Sequence, residues 1–178
     1  MNKNSAVATI VAVLVIVLAL GLIVLRNQRP GLGDFEVFYY DLNTQKVFTA
    51  KAEAIPPIDS GGGTYSYPDG EYGSGVRADI YSCGDLVKVK SGMTRAEVEA
   101  AGAFIALLTR YSSEQKELIE RMRTTGDTQI PGASQVENPL ISTADGTEWV
   151  PALSDAGREL TEKSTEMCGD ERTRFVSP

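Results

Sequence analysis

The chain has no histidine among its 178 residues. That absence removes imidazole acid–base catalysis, Ser-His-Asp and Cys-His nucleophile systems, and every histidine metal site. Cysteine is almost as scarce, with Cys83 and Cys168 the only two. A structural zinc site takes about four ligands, so two thiols without imidazole argue against a metal centre, and neither a metal nor a cofactor is expected. Gly61-Gly62-Gly63-Thr64 lacks the Gly-Lys-Ser/Thr ending of a phosphate-cradling loop. Asp69-Gly70-Glu71 and Asp145-Gly146-Thr147 lack the carboxylate spacing of a calcium loop and read as turns.

Positive charge is also short. There are 17 Lys and Arg against 24 Asp and Glu, a formal net charge of −7. All 24 acids follow position 30 together with 14 of the 17 cations, which leaves that part of the chain at −10. No Lys/Arg stripe runs through it, and so acidic a surface repels phosphate backbones, which excludes nucleic acid as the main partner.

One long apolar run is present. Ala6 to Leu25 holds 20 uncharged residues, 14 of them Ile, Leu or Val. At 1.5 Å per residue a helix of that length reaches ~30 Å, the thickness of a bilayer's hydrocarbon core. A buried core helix would show a polar face, and this run has none. A cleaved signal peptide has a shorter apolar stretch of about 7–15 residues and small residues at a cleavage site. No cysteine follows for lipid attachment. The run is therefore read as a single transmembrane helix at 6–25, after a tail of 1–5 and before a linker of 26–33. The bilayer is thus the first expected partner.

Lys3 flanks one end of the run, and Arg26 and Arg29 the other, so cation counting leaves the orientation close to a tie. The short N-terminal tail and the paired cysteines favour a domain outside the cytoplasm, at a bacterial inner membrane. Ala8 and Ala12 form a small-xxx-small pair compatible with self-association of anchors.

The remaining sequence, 34–169, reads as one α+β domain, followed by a C-terminal tail of 170–178. Phe35–Tyr40 and Lys46–Ala50 flank turn residues and predict a hairpin. Residues 56–75, with three consecutive glycines and Tyr65, Tyr67 and Tyr72, predict a mobile loop. Tyrosine supplies contact area at low entropic cost, so these three are candidate partner-binding residues. Val76–Cys83 alternates as a third strand.

Thr94 and Glu97 form a capping box, opening a helix expected to carry Val98, Ala101, Ile105 and Leu108 on one stripe. Ser112 and Gln115 open a second helix, stopped by Gly126. Pro139–Thr143 and Thr147–Val150 predict another hairpin with Trp149 in the core. Ser154 caps a last helix ending near Met167. The expected order is β-β-β-α-α-β-β-α, a mostly antiparallel sheet with about three helices.

Two cysteines in an extracytoplasmic domain suggest a disulfide between Cys83 and Cys168. A pair of unbonded buried thiols is the alternative if the domain is cytoplasmic.

Val37-Phe38-Tyr39-Tyr40-Asp41-Leu42-Asn43-Thr44, Val76-Arg77-Ala78-Asp79-Ile80-Tyr81-Ser82-Cys83-Gly84, and Trp149-Val150-Pro151-Ala152 running on to Cys168 cover about a quarter of the chain. These stretches resemble segments of small bacterial envelope proteins with a single N-terminal anchor. The resemblance implies architecture and location, and carries over no catalytic residue or ligand.

The function expected from these features is a membrane-anchored extracytoplasmic interaction or assembly module with a protein partner. A pilin-like subunit is the alternative, although no Gly-Phe precedes the apolar run and no Glu stands at its fifth position. A histidine-free hydrolase using a Ser–Lys pair or two carboxylates is a second alternative.

Overall fold

A computed structural model describes residues 35–127 and 131–178. The tail 1–5, the apolar run 6–25 and the linker 26–33 lie outside the described residues. Among the described residues no helix is long and apolar enough to cross a membrane.

Residues Glu36–Pro178 form one compact α+β unit built on an antiparallel sheet with three helices. β1 (Glu36–Asp41) and β2 (Lys46–Lys51) make the expected first hairpin, with Tyr39 opposite Phe48. A small separate hairpin follows, β3 (Thr64–Tyr67) and β4 (Gly70–Gly73). The long strand β5 (Gly75–Cys83) then pairs with β1 and β6 (Ala103–Arg110). β7 (Leu140–Ser142) and β8 (Val150–Pro151) complete the row, giving the order β2-β1-β5-β6-β7-β8.

The helices are α1 (Arg95–Ala100), α2 (Ser113–Thr125) and α3 (Asp155–Glu166). A 3₁₀ turn at Ala133–Glu137 packs against α2, and α3 against β6 and β8. Thr94, Ser112 and Ser154 each cap their helix through the side-chain oxygen, the first two in full capping boxes.

The expected first helix is corrected. It stops at Ala100, and Gly102, at φ +84, turns the chain out of it. Ile105 and Leu108 belong to β6 instead, so the expected helix pair does not exist. The physical reason is position: β6 lies between β5 and β7, and six of its eight residues are buried, with Phe104 and Thr109 partly exposed. A fully buried strand reads as a continuous apolar run, which periodicity alone does not distinguish from a helix.

Two further segments differ from expectation. Residues 64–73, inside the Gly/Tyr segment, are the hairpin β3–β4, and Thr173–Phe175 in the C-terminal tail forms β9 on β5. The main core lies on one face of the sheet, around Phe38, Tyr40, Val76, Ile80, Leu108 and the α1 residue Val98. The opposite face carries Tyr39, Arg77 and Thr109 in one row across β1, β5 and β6.

Candidate functional site

The two residue sets singled out in the sequence are each brought together. Cys83 ends β5 and Cys168 follows α3; their Cα atoms are 5.2 Å apart and the sulfurs 2.12 Å, which is disulfide distance. Tyr65, Tyr67 and Tyr72 gather on the β3–β4 hairpin, with Tyr67 ring centroids 4.8 Å from Tyr65 and 6.2 Å from Tyr72. Tyr65 and Tyr72 are half-buried, whereas Tyr67 is 6% exposed and points into the core.

What holds Tyr67 is Arg110, a residue the sequence reading passed over. Its guanidinium carbon lies 4.5 Å from the Tyr67 ring centroid and 5.0 Å from that of Trp149. Arg110 is 1% exposed, and its charge is met by Asp69 at 2.7 Å. Burial pushes the Asp69 carboxyl up in pKa, but the hydrogen bond and charge of Arg110 outweigh it and hold the group below its usual range. Asp69 sits at the tip of the Tyr hairpin, so this pair and the two ring contacts fasten the hairpin to the end of β6. The only signal available in the sequence was alternation: Leu108 and Arg110 share a strand face once 103–110 is read as β.

Asp41 fastens the base of the same region. It is 4% exposed and accepts from the Asn43 and Thr44 amides and the Ser60 hydroxyl, which also shares a 2.8 Å hydrogen bond with the Ser74 hydroxyl. Burial raises the Asp41 pKa, but these bonds, that of Thr44 foremost, carry it below normal. A carboxylate so saturated stays ionised and is a structural anchor, unsuited to take a proton from serine.

The open chemistry lies on the other face of the sheet. A cleft of about 290 Å³ is lined by Ala54, Ile55 and Pro56 on one wall, Arg77 and Thr109 on the sheet, and Tyr111, Ile119 and Arg123 from the chain into and along α2. Local hydrogen bonds hold its rim: Tyr39 Oη donates to the Ala54 carbonyl at 2.9 Å, the Tyr111 amide to Pro56 at 3.0 Å, and Lys116 Nζ to Pro57 at 2.9 Å. Burial raises the Tyr39 pKa against the opposing pull of Arg77 and Arg123, so its phenol stays a donor.

The two arginines are poorly matched inside the protein. Among the described residues Arg77 meets only Asp79, at 4.0 Å, and its side chain is 43% exposed. Arg123 has no carboxylate within ion-pair distance among the described residues. An acidic domain thus sets two guanidinium groups along one cleft of mixed polar and apolar lining. Guanidinium groups bind carboxylates through paired, charge-assisted hydrogen bonds. Nothing in the sequence spacing marks this pairing, because 46 positions separate residues 77 and 123 and only the fold joins them.

Compared with family models, curated proteins and solved structures, the chain matches none. The reading of the cleft therefore rests on its own chemistry. Among the described residues no three His, Cys, Asp or Glu side chains gather as a metal cluster.

Proposed function

We propose that this chain is a tethered interaction module, held in a bacterial inner membrane by residues 6–25, that captures a carboxylate of a protein partner with its extracytoplasmic domain. The observation that carries this reading is the pair Arg77 and Arg123 lining one cleft in a domain that is otherwise strongly acidic. An acidic side chain or a chain-terminal carboxylate fits two guanidinium groups, and Ile55, Pro56, Ile119 and Tyr111 offer apolar contact to the residue that bears it. Tyrosine and arginine are the side chains that most often dominate binding energy at such interfaces. Tyr65 and Tyr72, half-exposed on their clamped hairpin, offer a second contact zone of the kind expected from the sequence.

The test uses the full chain in whole cells, with a photoreactive side chain at Tyr111. A discrete crosslinked product is expected, and Arg77→Ala with Arg123→Ala should abolish it while the thermal midpoint stays within a few degrees. An identical crosslinking pattern in the double variant would remove the proposal. Adding a membrane-impermeant thiol reagent to intact cells, with and without reductant, reports which side of the membrane the domain occupies.

A further inference from the structure

We infer that the groove bearing Leu86, Lys88, Lys90 and Phe175 lies on the surface of an anionic bilayer, where it orients the domain for its partner. The first observation is an exposed apolar groove. Leu86 is 65% and Phe175 51% exposed, and both line a cleft of about 330 Å³ with Val87, Lys88, Lys90 and Pro178. Isolated exposed apolar residues are ordinary on soluble proteins, but a contiguous patch marks a surface that meets something.

Alternation explains how the patch forms. Val87 and Val89 turn inward to the core, which leaves Leu86, Lys88 and Lys90 exposed. No Asp or Glu lines the groove, in a domain where acids outnumber cations by nine. Apolar side chains bracketed by lysines match the boundary between headgroups and acyl chains, where the stem of lysine lies in the apolar layer and its ammonium meets phosphate.

The second observation is where the chain enters. β6 occupies one edge of β5 along Arg77–Ser82, so β1 and β9 share the other edge. β1 faces Gly75–Arg77 there, and β9 faces Tyr81–Cys83. Because β1 is antiparallel to β5, its first residue, Glu36, points to the end of the sheet that carries β9 and Phe175. Ten residues, 26–35, separate Leu25 from Glu36. They reach at most about 35–40 Å when fully extended. Phe175 and, beside it in the groove, Leu86 therefore lie toward the end of the sheet where the chain enters the domain, and the groove runs from there toward Lys90, close to the Gly92–Val47 hydrogen bond. A protein partner at this groove has no such argument behind it.

This inference rests on residues 6–25 spanning the bilayer, which flotation with vesicles tests separately. The full chain is reconstituted in vesicles of phosphatidylcholine with phosphatidylglycerol, part of the phosphatidylcholine carrying brominated acyl chains that quench tryptophan. Leu86→Trp, Phe175→Trp and, as control, Leu153→Trp (58% exposed, before α3) are compared with the parent chain. Quenching of the added fluorophore should be at least about two-fold greater at positions 86 and 175 than at 153, as expected for side chains at the acyl boundary. Lys88→Glu with Lys90→Glu should weaken the surface contact by about five-fold per lysine, and omitting phosphatidylglycerol should do likewise. A chain that floats while positions 86 and 175 match position 153 overturns the inference and leaves the anchor standing. Positions shielded from both lipid bromine and aqueous iodide would show a protein cover there, and would overturn it too. A chain that does not float removes the anchor itself.

Discussion

Arg110 shows what a single buried charge imposes on its neighbours. A guanidinium that is 1% exposed is held by one carboxylate, two aromatic faces and the Tyr111 carbonyl, while among the described residues its Nε and the Ser142 hydroxyl meet no hydrogen-bond partner. Removing Asp69 leaves that charge uncompensated, which for buried pairs costs about 3–5 kcal/mol. Asp69 is 28% exposed, so Asp69→Asn should cost less, about 2–3 kcal/mol after discounting for solvent. Urea denaturation would measure it, and adding Arg110→Met should restore most of the loss. The Asp69 carboxyl is held below its normal pKa, so its share of stability is present above the unfolded value and lost as pH falls through the folded one. Asp69→Asn should therefore show a shallower acid transition than the parent chain.

Asp79 has the opposite sign. Burial raises its pKa above the ordinary 3.8, against a lowering by Arg77. The folded state thus binds the proton more tightly than the unfolded one, and Asp79 subtracts stability as pH rises from about 3.8 through the folded value. Asp79→Asn should stabilise the domain at neutral pH, and the gain should vanish below that window in melting curves taken across pH. For carboxylate capture in the cleft the same substitution should strengthen binding, because it removes the acid that among the described residues competes for Arg77.

At the scale of elements, glycine placement decides where helix gives way to strand. Gly102 takes φ +84 between α1 and β6, and a Cβ there meets nothing closer than Val87 Cγ1 at 3.6 Å. Gly102→Ala should therefore cost only the left-handed backbone strain, about 1 kcal/mol. Gly62 differs: a Cβ there would collide with the buried Asp41 carboxylate, itself fixed by several hydrogen bonds. Gly62→Ala should cost about 1–3 kcal/mol and loosen the loop that leads into β3. Thermal unfolding of the two variants side by side checks the ranking.

The same elements explain what could be read in advance. The β1–β2 hairpin, β5, the three caps and the Leu140–Pro151 hairpin were legible because turn and capping chemistry is local. β6 was not, since Ile105 and Leu108 fit a helical stripe as well as a buried strand. The hairpin around Tyr67 was hidden for a different reason. Gly- and Ser-rich segments read as loops, and the distant Arg110 and Trp149 give Tyr67 its place in the core. Arg77 with Arg123 was illegible for the same cause, as neither residue is unusual until the sheet and α2 are assembled.

Across the whole molecule, the Cys83–Cys168 pair joins the end of the central strand β5 to the residue after the α3 cap, a sequence separation of 85. β9 sits beside it: Cys83 faces Thr173, and the Gly84 amide donates to the Arg172 carbonyl. With only three residues in its ladder, β9 is too short to stay paired on its own hydrogen bonds. The clamp therefore carries more than global stability, because it also holds the strand that presents Phe175. Cys83→Ser with Cys168→Ser should lower unfolding free energy by about 2–4 kcal/mol, the range typical of a native disulfide. For a domain of this size that is a fall of about 5–15 °C in melting temperature. Hydrogen exchange should at the same time quicken at Thr173–Phe175 and Tyr81–Cys83, while β6 and its pairing with β7 keep their protection. If the amides of β9 stay protected and the midpoint does not move, the two thiols are not bonded in the mature protein. The C-terminal strand would then be held by Val176, 1% exposed and hydrogen-bonded to Ile80, rather than by sulfur.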